Sequence, residues 1–567
     1  MYRAPLQEMT FCAEMLGQSD LAATERFSEA TPETRTAILD EAARLCEGVL
    51  VPLNWTGDRE GAHLENGVVR TPEGFRAGFE AIAEGGWIGA TADPAHGGMG
   101  LPQCLGTMVQ EILFSSCMAL ASNPMLTQGQ IEALEVQGSE ALKATLLPKL
   151  ISGQWTGTMN LSEPQAGSDV GAVRTRAEDL GDGTFALHGQ KIWITWGDHD
   201  LAENICHLVL ARLPEAPAGT KGLSLFAVPK LWSEDGRPAT PNNVRTISLE
   251  RKLGLHASPT CVLEYDGARG WLVGPPQGGM AAMFVMMNNA RLGVGVQGLG
   301  IAEAALQKAT TYALERRQGA TPDGSPTIAG FADVRRMLAR MQAMTQAARA
   351  LCYDCALSID LARAAGSEAV RRAHTARAGV LTPLAKAFGT RAGIEVADLG
   401  IQVHGGIGYV EDTGAAQLWR DVRVSSIYEG TNGIQAMDLV GRKLSLDDGE
   451  AVRGLLSEVE ATVDAAHEAG HPELARALAA ARSKAEGVTG KLLTMDSLND
   501  RFAGATPYLD MLAGVLGAHY LLRAGLRERA RLPLARFAVH QMLPRAHADA
   551  QAAIGGAEPL YAIALGG

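Results

Sequence analysis

One glutamate lies in a setting that favours acid–base chemistry. Glu429 stands between the apolar pair Ile427-Tyr428 and the turn-forming pair Gly430-Thr431. A carboxyl group drawn out of water has a raised pKa, which suits a general base that works near neutral pH. The alternative is a glutamate in the turn that ends a helix, with no chemical role.

A second segment has the residue types to hold a flat heteroaromatic ring. Small hydroxyl and glycine residues recur between Gly157 and Asp169, and they let backbone N–H groups approach the acceptors of a ligand. Trp193 follows on a predicted strand and offers a broad apolar face. The alternative is the opening turn of a β domain and a core tryptophan.

Two other motifs are better explained as structure. The run from Gly293 to Gly298 matches G-x-G-x-x-G, but it lies in a predicted helix rather than after a strand, so close helix packing is favoured over dinucleotide binding. Cys352 and Cys355 form a C-x-x-C with no second pair and no nearby histidine, which favours structural thiols over a zinc or redox site.

A basic stretch near the C-terminal end offers a binding function of another class. Arg523, Arg527 and Arg531 recur every four residues, as on one face of a helix, and Arg529 and Arg536 lie nearby. Such a face predicts either nucleic-acid binding or a face that is solvated or salt-bridged to another subunit. The second is favoured because aromatic residues are sparse there and this part of the chain has no net charge.

The elements that must position these residues follow from the periodicity of the chain. Helical spacing is clearest in residues 34–50 and 299–314. Short, partly alternating runs bounded by Gly, Pro, Asp and Asn predict strands at 185–195, 207–212, 223–228 and 261–265. We therefore expect an α+β protein that is mainly α, with four domains. They are an N-terminal helical domain (1–155), a central antiparallel β domain (156–277), a C-terminal helical bundle (278–447) and an additional helical domain (448–567).

Composition narrows the class of protein. The 567 residues are 46% hydrophobic and 20% charged, which excludes a disordered chain, and the net charge of −13 disfavours non-specific binding to nucleic acid or anionic membrane. Eight scattered cysteines are typical of reduced thiols, and neither a secretory leader nor an apolar run of about 18 residues is evident. These features predict a cytoplasmic enzyme with no membrane span.

Five motifs together resemble the acyl-CoA dehydrogenase family in order, residue type and spacing over about residues 80–440. They are Leu161–Asp169, Gly189–Thr195, Tyr312–Arg317, Gln402–Gly406 and Ile427–Thr431. The 27-residue interval from Gln402 to Glu429 is also similar to that of the family. The resemblance implies the family's arrangement of a helical domain, a β domain and a helical bundle, here with an extra helical domain.

The resemblance also implies FAD as the cofactor, an acyl-CoA as the substrate and no metal. The implied FAD contacts, some from a neighbouring subunit, are Met159, Leu161, Ser162, Gly167, Ser168, Trp193, Ile194, Thr195, Arg316, Gln318, Gln402, Gly405, Gly406, Thr431, Asn432 and Gly433. The implied substrate contacts are Ser168, Asn288, Arg291 and Gly430. A homodimer or homotetramer and an electron-transfer flavoprotein as electron acceptor are implied as well.

In the implied reaction Glu429 removes the α-proton of the thioester while the β-hydrogen leaves as hydride to the flavin, giving a trans-2-enoyl-CoA. Some relatives carry the base at the position of Asn288–Arg291, where this chain has no carboxylate. The chain departs from the commonest pattern with Ser162 and Gln318 where threonine is usual, and with Asn288 where aspartate is frequent. The last departure lies among the residues that the resemblance assigns to substrate contact.

The length of the chain and its helical extension resemble a longer subgroup of the family. Within it, the motifs look most like those of enzymes that oxidise 3-methylmercaptopropionyl-CoA to methylthioacryloyl-CoA in dimethylsulfoniopropionate breakdown. The alternatives are a medium- or long-chain fatty acyl-CoA dehydrogenase and a flavoprotein that binds nucleic acid through its arginine-rich helix. Met280, Met283, Met286 and Met287 have the chemistry to line a thioether pocket, although helix core is favoured. His256 and His404 are either site residues or packing residues.

Overall fold

The computed structural model describes residues 2–233 and 240–565, and the chain divides into two compact units. The first unit is built from residues 1–40, 102–115 and 291–567, and the second from residues 41–101 and 116–290. Two long helices, Gln103–Gln137 and Gly279–Glu315, contribute residues to both. The first of these is interrupted at Cys117, whose backbone is extended (φ −155°, ψ 88°).

The second unit contains a seven-stranded sheet. Its strands are Trp155–Asn160, Arg176–Asp179, Phe185–Thr195, Asn204–Arg212, Leu223–Pro229, Val244–Leu249 and Thr260–Val273. Most neighbours are antiparallel, but Trp155–Asn160 runs parallel to Asn204–Arg212. Two short pairs lie outside this sheet: His63–Glu65 with Val68–Arg70, and Leu231–Trp232 with Thr240–Pro241. The helices wholly in this unit are Val51–Glu60, Phe75–Glu84 and Glu140–Ile151.

The four strands predicted from the sequence are confirmed, and the sheet is mainly antiparallel as expected. Strand Phe185–Thr195 has the predicted bounds, whereas Thr260–Val273 is much longer than the predicted run at 261–265. Its burial alternates along the chain, since one face meets the core formed by Leu187, Phe226 and Tyr265. After Tyr265 the next buried residues are Ala268 and Gly270, so the alternation changes phase where a register shift interrupts the pairing with Phe185–Thr195.

The first unit is helical. Its helices, apart from those shared with the second unit, are Leu6–Leu16, Ala332–Arg363, Glu368–His404, Ala415–Val422, Asn432–Asp438, Leu444–Leu446, Glu450–Glu468, Pro472–Thr494, Leu498–Ala503, Ala505–Arg527, Leu532–Ala552 and Glu558–Tyr561. Helix Pro32–Leu45 begins in this unit and continues into the second through a π-helical turn at Cys46–Leu50. The sequence predicted helical spacing over residues 34–50, and the chain remains helical beyond it to Glu60.

The glycine run at 293–298 lies on a helix and serves close packing, which confirms the interpretation from sequence. A Cβ on Gly298 would lie 2.2 Å from the Gly389 carbonyl oxygen, and one on Gly295 would lie 2.7 Å from the Ala385 carbonyl oxygen. The facing glycine, Gly389, is equally close to the Gly295 carbonyl. Helices Gly279–Glu315 and Glu368–His404 therefore meet backbone to backbone, which fixes the helix that leads to Gln402–Gly406.

The arginine stretch does not form one helix face, so that expectation was wrong. Helix Ala505–Arg527 ends before Glu528, and a new helix starts at Leu532 with Pro533 in its first turn, where the ring cannot continue an upstream helix. Arg531 instead pairs with Glu8, with Nη1–Oε2 and Nη2–Oε1 distances of 2.5 and 2.9 Å, and it lies over the Phe11 ring. Arg536 likewise pairs with Glu473 at 2.6 Å, so two of these arginines form ion pairs within the chain.

Among the residues that the structure describes, one helix, Gln103–Gln137, is long and apolar enough to cross a membrane, and its most apolar stretch is wholly buried within the protein. The eight cysteines are all buried and free, including Cys352 and Cys355 on helix Ala332–Arg363. Over the described ranges 2–233 and 240–565, no group of three or more His, Cys, Asp or Glu side chains is arranged to hold a metal ion.

Candidate active site

In the second unit, a β-bulge exposes Trp193. Cys261 pairs with Ile194 and Leu263 pairs with Lys191, so two residues of one strand, Ile192 and Trp193, oppose a single residue of the other. Trp193 has a left-handed backbone (φ 62°), and 58% of the residue is exposed. A left-handed conformation costs a non-glycine residue about 1–2 kcal/mol. The strained backbone of Trp193 therefore destabilises the fold slightly, and it leaves a large aromatic face exposed outside the core.

A buried ion pair joins this strand to the turn at 161–163. Lys191 Nζ donates to Glu163 Oε1 and to the Leu161 carbonyl oxygen, both at 2.9 Å. Glu163 also accepts from the Thr175 hydroxyl at 2.6 Å. Lys191 and Glu163 are 0% and 4% exposed, and the lysine together with these hydrogen bonds holds the pKa of Glu163 at about 2 despite burial. Burial in turn lowers the pKa of Lys191 to about 8.

The pair fixes the two predicted ring-contacting segments to each other. The Ile192 N–H also donates to the Ser162 carbonyl oxygen at 2.9 Å. Ser162 and Thr195 remain partly exposed, and Gly167 is exposed with open space around it. An exposed aromatic face with hydroxyl groups and bare backbone beside it fits a flat ring with polar edges, as FAD has.

In the first unit, Glu429 lies on a sharp turn. Its backbone is left-handed (φ 55°), and so is that of Gly430 (φ 82°). A Cβ at Gly430 would come within 2.8 Å of Gln435 Nε2, which donates to the Glu429 carbonyl oxygen at 3.3 Å. Thr431 then caps helix Asn432–Asp438 by accepting from the Ile434 N–H at 3.1 Å. The sequence Glu-Gly-Thr is thus a turn followed by an N-cap, and Glu429 does not end a helix.

The surroundings of Glu429 suit a base near neutral pH. Burial raises the pKa of Glu429 to about 7, and the positive charges of Lys386 and Arg291 oppose the rise. The neighbouring Tyr428 hydroxyl donates to the Gln297 side-chain oxygen, and burial raises its pKa as well. The direction for Glu429 is the one that its apolar sequence neighbours predict.

Two basic side chains approach this turn from the flanking helices. Lys386 Nζ donates to the Gly430 carbonyl oxygen at 2.9 Å and to Asn432 Oδ1 at 3.0 Å. Arg291 is 4% exposed, and its Nη1 lies 3.3 Å from Asp438 Oδ2. The arginine that the resemblance assigns to substrate is thus ion-paired inside this unit.

The other predicted site residues fall into two sets, one in each unit. In the second unit, Met159 and Leu161 are partly exposed at the end of strand Trp155–Asn160, Ile194 is buried, and Ser168 and Asn288 are exposed. In the first unit, the exposed residues are Arg316, Gln318, Gln402, Gly405, Gly406 and Gly433. Gly405 and Gly406 have open space where a Cβ would stand, so a ligand or another chain can approach their backbone closely.

The histidines and methionines that the sequence left open have packing partners. His404 stacks on Tyr312 with ring centroids 4.5 Å apart, and its Nδ1 lies 2.6 Å from the Gly400 carbonyl oxygen. His256 lies 2.8 Å from Asp58 Oδ1. Met283 and Met286 are both fully buried, which agrees with helix core rather than a thioether pocket for these two.

Sequence reasoning assigned no role to Lys386, although a signal was present. The lysine interrupts the apolar run Leu384-Ala385-Lys386-Ala387-Phe388, and a charged residue in a buried helix needs a reason. Lys191 and Glu163 were likewise part of recognised motifs without being assigned a function. Their pairing depends on strand register and became visible only in three dimensions.

Four family models match the chain. They describe the N-terminal domain of acyl-CoA dehydrogenase over residues 32–154, its middle domain over 158–268 and its C-terminal domain over 277–444. The fourth, described as acetyl-CoA dehydrogenase C-terminal like, matches residues 455–564. Together they confirm the expected fold class, including a further helical part after the bundle.

Individual relatives cover most of the chain. A 3-methylmercaptopropionyl-CoA dehydrogenase from Ruegeria pomeroyi is 46% identical over 531 residues, which are 92% of this chain and 90% of the relative. A broad-specificity linear acyl-CoA dehydrogenase from Mycobacterium tuberculosis is 34% identical over 87% of this chain and 84% of its own. The solved structure of a Bacillus anthracis acyl-CoA dehydrogenase complexed with FAD has the same fold, with a TM-score of 0.76 and 20% identity over 96% of this chain and 91% of its own.

Proposed function

The chain belongs to the acyl-CoA dehydrogenase family, and on that premise we propose that it oxidises 3-methylmercaptopropionyl-CoA to methylthioacryloyl-CoA. The observation that carries the chemistry is the Glu429 turn, where burial raises the pKa of the carboxyl group to about 7. The substrate proposal is supported by the 46% identity to the Ruegeria pomeroyi relative, which extends over 92% of the chain. FAD, the cofactor of this family, supplies the acceptor for a hydride when it is bound.

In the proposed reaction, the Glu429 carboxylate takes a proton from the α-carbon of the thioester. The β-carbon loses its hydrogen with the electron pair, and a trans double bond forms between the two carbons. A carboxylate with an ordinary pKa is too weak a base for this proton, so its raised pKa assists the step. The backbone N–H of Glu429 is proposed to donate to the thioester oxygen and to stabilise the charge that develops there.

We assign the flat ring of the cofactor to the surface around Trp193, Ser162 and Thr195. The Lys191–Glu163 pair orients this surface because it ties the turn at 161–163 to the strand that carries Trp193. Gln402, Gly405 and Gly406 are proposed to reach the cofactor of a second copy of the chain. Their exposure, and that of the adjacent Ile407 and Tyr409, supports an interface there.

We propose that the electrons leave through an electron-transfer flavoprotein and that the enzyme works in the cytoplasm as a homodimer or homotetramer. Free, buried cysteines are compatible with a reducing compartment. Electron transfer is tested by mixing the substrate-reduced enzyme with purified electron-transfer flavoprotein under anaerobic conditions. Reoxidation of the enzyme flavin supports the assignment, and a flavin that stays reduced contradicts it.

The substrate is tested by anaerobic spectra of the FAD-loaded enzyme before and after each of three thioesters. We expect 3-methylmercaptopropionyl-CoA to bleach the flavin band faster than butyryl-CoA or palmitoyl-CoA does, and Glu429→Gln to abolish bleaching by all three. Faster bleaching by palmitoyl-CoA would keep the dehydrogenase and replace the substrate by a long-chain thioester. A protein that neither contains nor takes up FAD would overturn the proposal.

A further inference from the structure

Lys386 is a buried cation for which core packing gives no reason. It is 0% exposed on helix Glu368–His404, where Leu384, Ala385, Ala387 and Phe388 flank it in the sequence. Taking an ammonium group out of water costs several kcal/mol unless nearby hydrogen-bond acceptors or an opposite charge compensate it. A methionine of similar length would fill the same space without that cost.

The contacts of Lys386 converge on the turn that carries Glu429. Its ammonium group donates to the carbonyl oxygen of Gly430, the next residue, at 2.9 Å, and to Asn432 Oδ1 at 3.0 Å. Asn432 is also held by Thr390, one helical turn after Lys386, through Nδ2 to Oγ1 at 3.1 Å. Helix Glu368–His404 thus holds both the Gly430 carbonyl oxygen and Asn432, the first residue of the helix that follows the base.

We propose that Lys386 is the positioning residue for the base: its ammonium group anchors the turn after Glu429, and its charge keeps the Glu429 carboxylate ionised although the site disfavours a negative charge. The proposal rests on the proposed function in so far as Glu429 is the base. The contacts themselves do not depend on any substrate.

Of the two cations that face Glu429, Lys386 is the better placed to keep its carboxylate ionised. Arg291, the other cation that faces Glu429, is paired with Asp438 at 3.3 Å. Asp438 is also bonded to Arg442 at 2.5 Å, and Lys443 lies beside the same group. Both hydrogen-bond acceptors of Lys386 are neutral, so its positive charge is not cancelled by them and acts on Glu429.

The directions in which the pKa values of Glu429 and Lys386 are shifted agree with this arrangement. Burial raises the pKa of Glu429 to about 7, and the first influence that opposes the rise is Lys386. Burial likewise lowers the pKa of Lys386 to about 7, and the Glu429 carboxylate opposes that fall. Removal of the lysine charge should therefore raise the pKa of Glu429 further.

The experiment is an infrared pH titration of the carboxyl band of Glu429 in the FAD-loaded enzyme, with the band assigned by its loss in Glu429→Gln. Lys386→Met removes the charge at similar length, and Lys386→Arg keeps the charge. Thr390→Val is the matched control, because it loosens the same turn through Asn432 and removes no charge. We expect Lys386→Met to raise the midpoint by about one to three pH units, and the other two variants to stay near the wild-type value.

A wild-type midpoint in Lys386→Met, or an equal shift in Thr390→Val, would overturn the proposal and leave Lys386 a purely structural residue. If Lys386→Met does not fold, Lys386→Gln keeps a hydrogen-bond donor and carries the same outcomes. The titration needs no substrate, so it separates this proposal from the proposed function. A shifted band in an enzyme that oxidises no acyl-CoA would support the coupling and contradict the function.

Discussion

Replacing Glu429 by glutamine should stabilise the folded protein, and the gain should depend on pH. The folded pKa of about 7 exceeds the ordinary value of 4.5 by 2.5. Since each pKa unit corresponds to about 1.36 kcal/mol, ionised Glu429 destabilises the folded state by roughly 3 kcal/mol. Glutamine resembles the protonated carboxyl group at every pH and avoids this penalty.

The sign of the pH dependence follows from the two pKa values. Below pH 4.5 the carboxyl group is protonated in the folded and unfolded states alike, so wild type and Glu429→Gln should be equally stable. As the pH rises from 4.5 to about 7, the unfolded state loses the proton first and the wild type loses stability relative to the variant. Between pH 5.5 and pH 8 the advantage of the variant should grow by about 2 kcal/mol.

The assay is thermal unfolding of wild type and Glu429→Gln across this pH range, with Glu468→Gln as a control. Glu468 is exposed near the end of helix Glu450–Glu468, so its replacement should give a difference in Tm that does not change with pH. For Glu429→Gln we expect a difference in Tm that widens by a few degrees toward pH 8. A constant difference, or a variant that is less stable at pH 8, would refute the assignment of a partly buried carboxyl group with a raised pKa.

Three further predictions concern the exposed Trp193 face, the buried Lys191–Glu163 pair and Met286. Trp193→Ala should weaken FAD binding by about five- to tenfold, because it removes an aromatic face that contributes about 1 kcal/mol. The FAD affinity is measured by fluorescence titration of the flavin-free protein. An unchanged affinity would contradict the assignment of the ring to this surface. Lys191→Met should destabilise the protein by about 3–5 kcal/mol because it leaves Glu163 buried and unpaired; a Tm equal to that of wild type would contradict the buried pair. Met286→Leu should keep the order of substrate preference, since this side chain is buried in helix core; a changed order would revive the thioether pocket.

The parts of the fold that follow from periodicity could be predicted from the sequence. Strand Phe185–Thr195 alternates only in part in the sequence, yet its bounds were predicted to the residue, and the glycine run at 293–298 was correctly interpreted as helix packing. Helix ends were less predictable. The predicted helical stretch ends at residue 50, but the π-helical turn at Cys46–Leu50 leads directly into helix Val51–Glu60.

In the candidate site, too, features set by residues adjacent in the chain could be predicted, and features set by distant residues could not. The sequence alone indicated that Glu429 lies in an apolar setting, because its neighbours Ile427 and Tyr428 are adjacent in the chain. The roles of Lys386 and of Arg291 depend on which helix faces meet the turn, and that information is non-local. The left-handed backbone of Trp193 arises from a bulge in strand register, which no local pattern predicts.

The central claim is that Glu429 removes the α-proton of an acyl-CoA, and a single-turnover measurement tests it most directly. FAD-loaded enzyme is mixed anaerobically with 3-methylmercaptopropionyl-CoA that carries deuterium on the α-carbon, and flavin bleaching is followed for wild type and Glu429→Gln. We predict slower bleaching than with the unlabelled thioester in the wild type, loss of one α-deuterium in the product, and no bleaching in the variant. Bleaching of the variant at the wild-type rate would contradict the account.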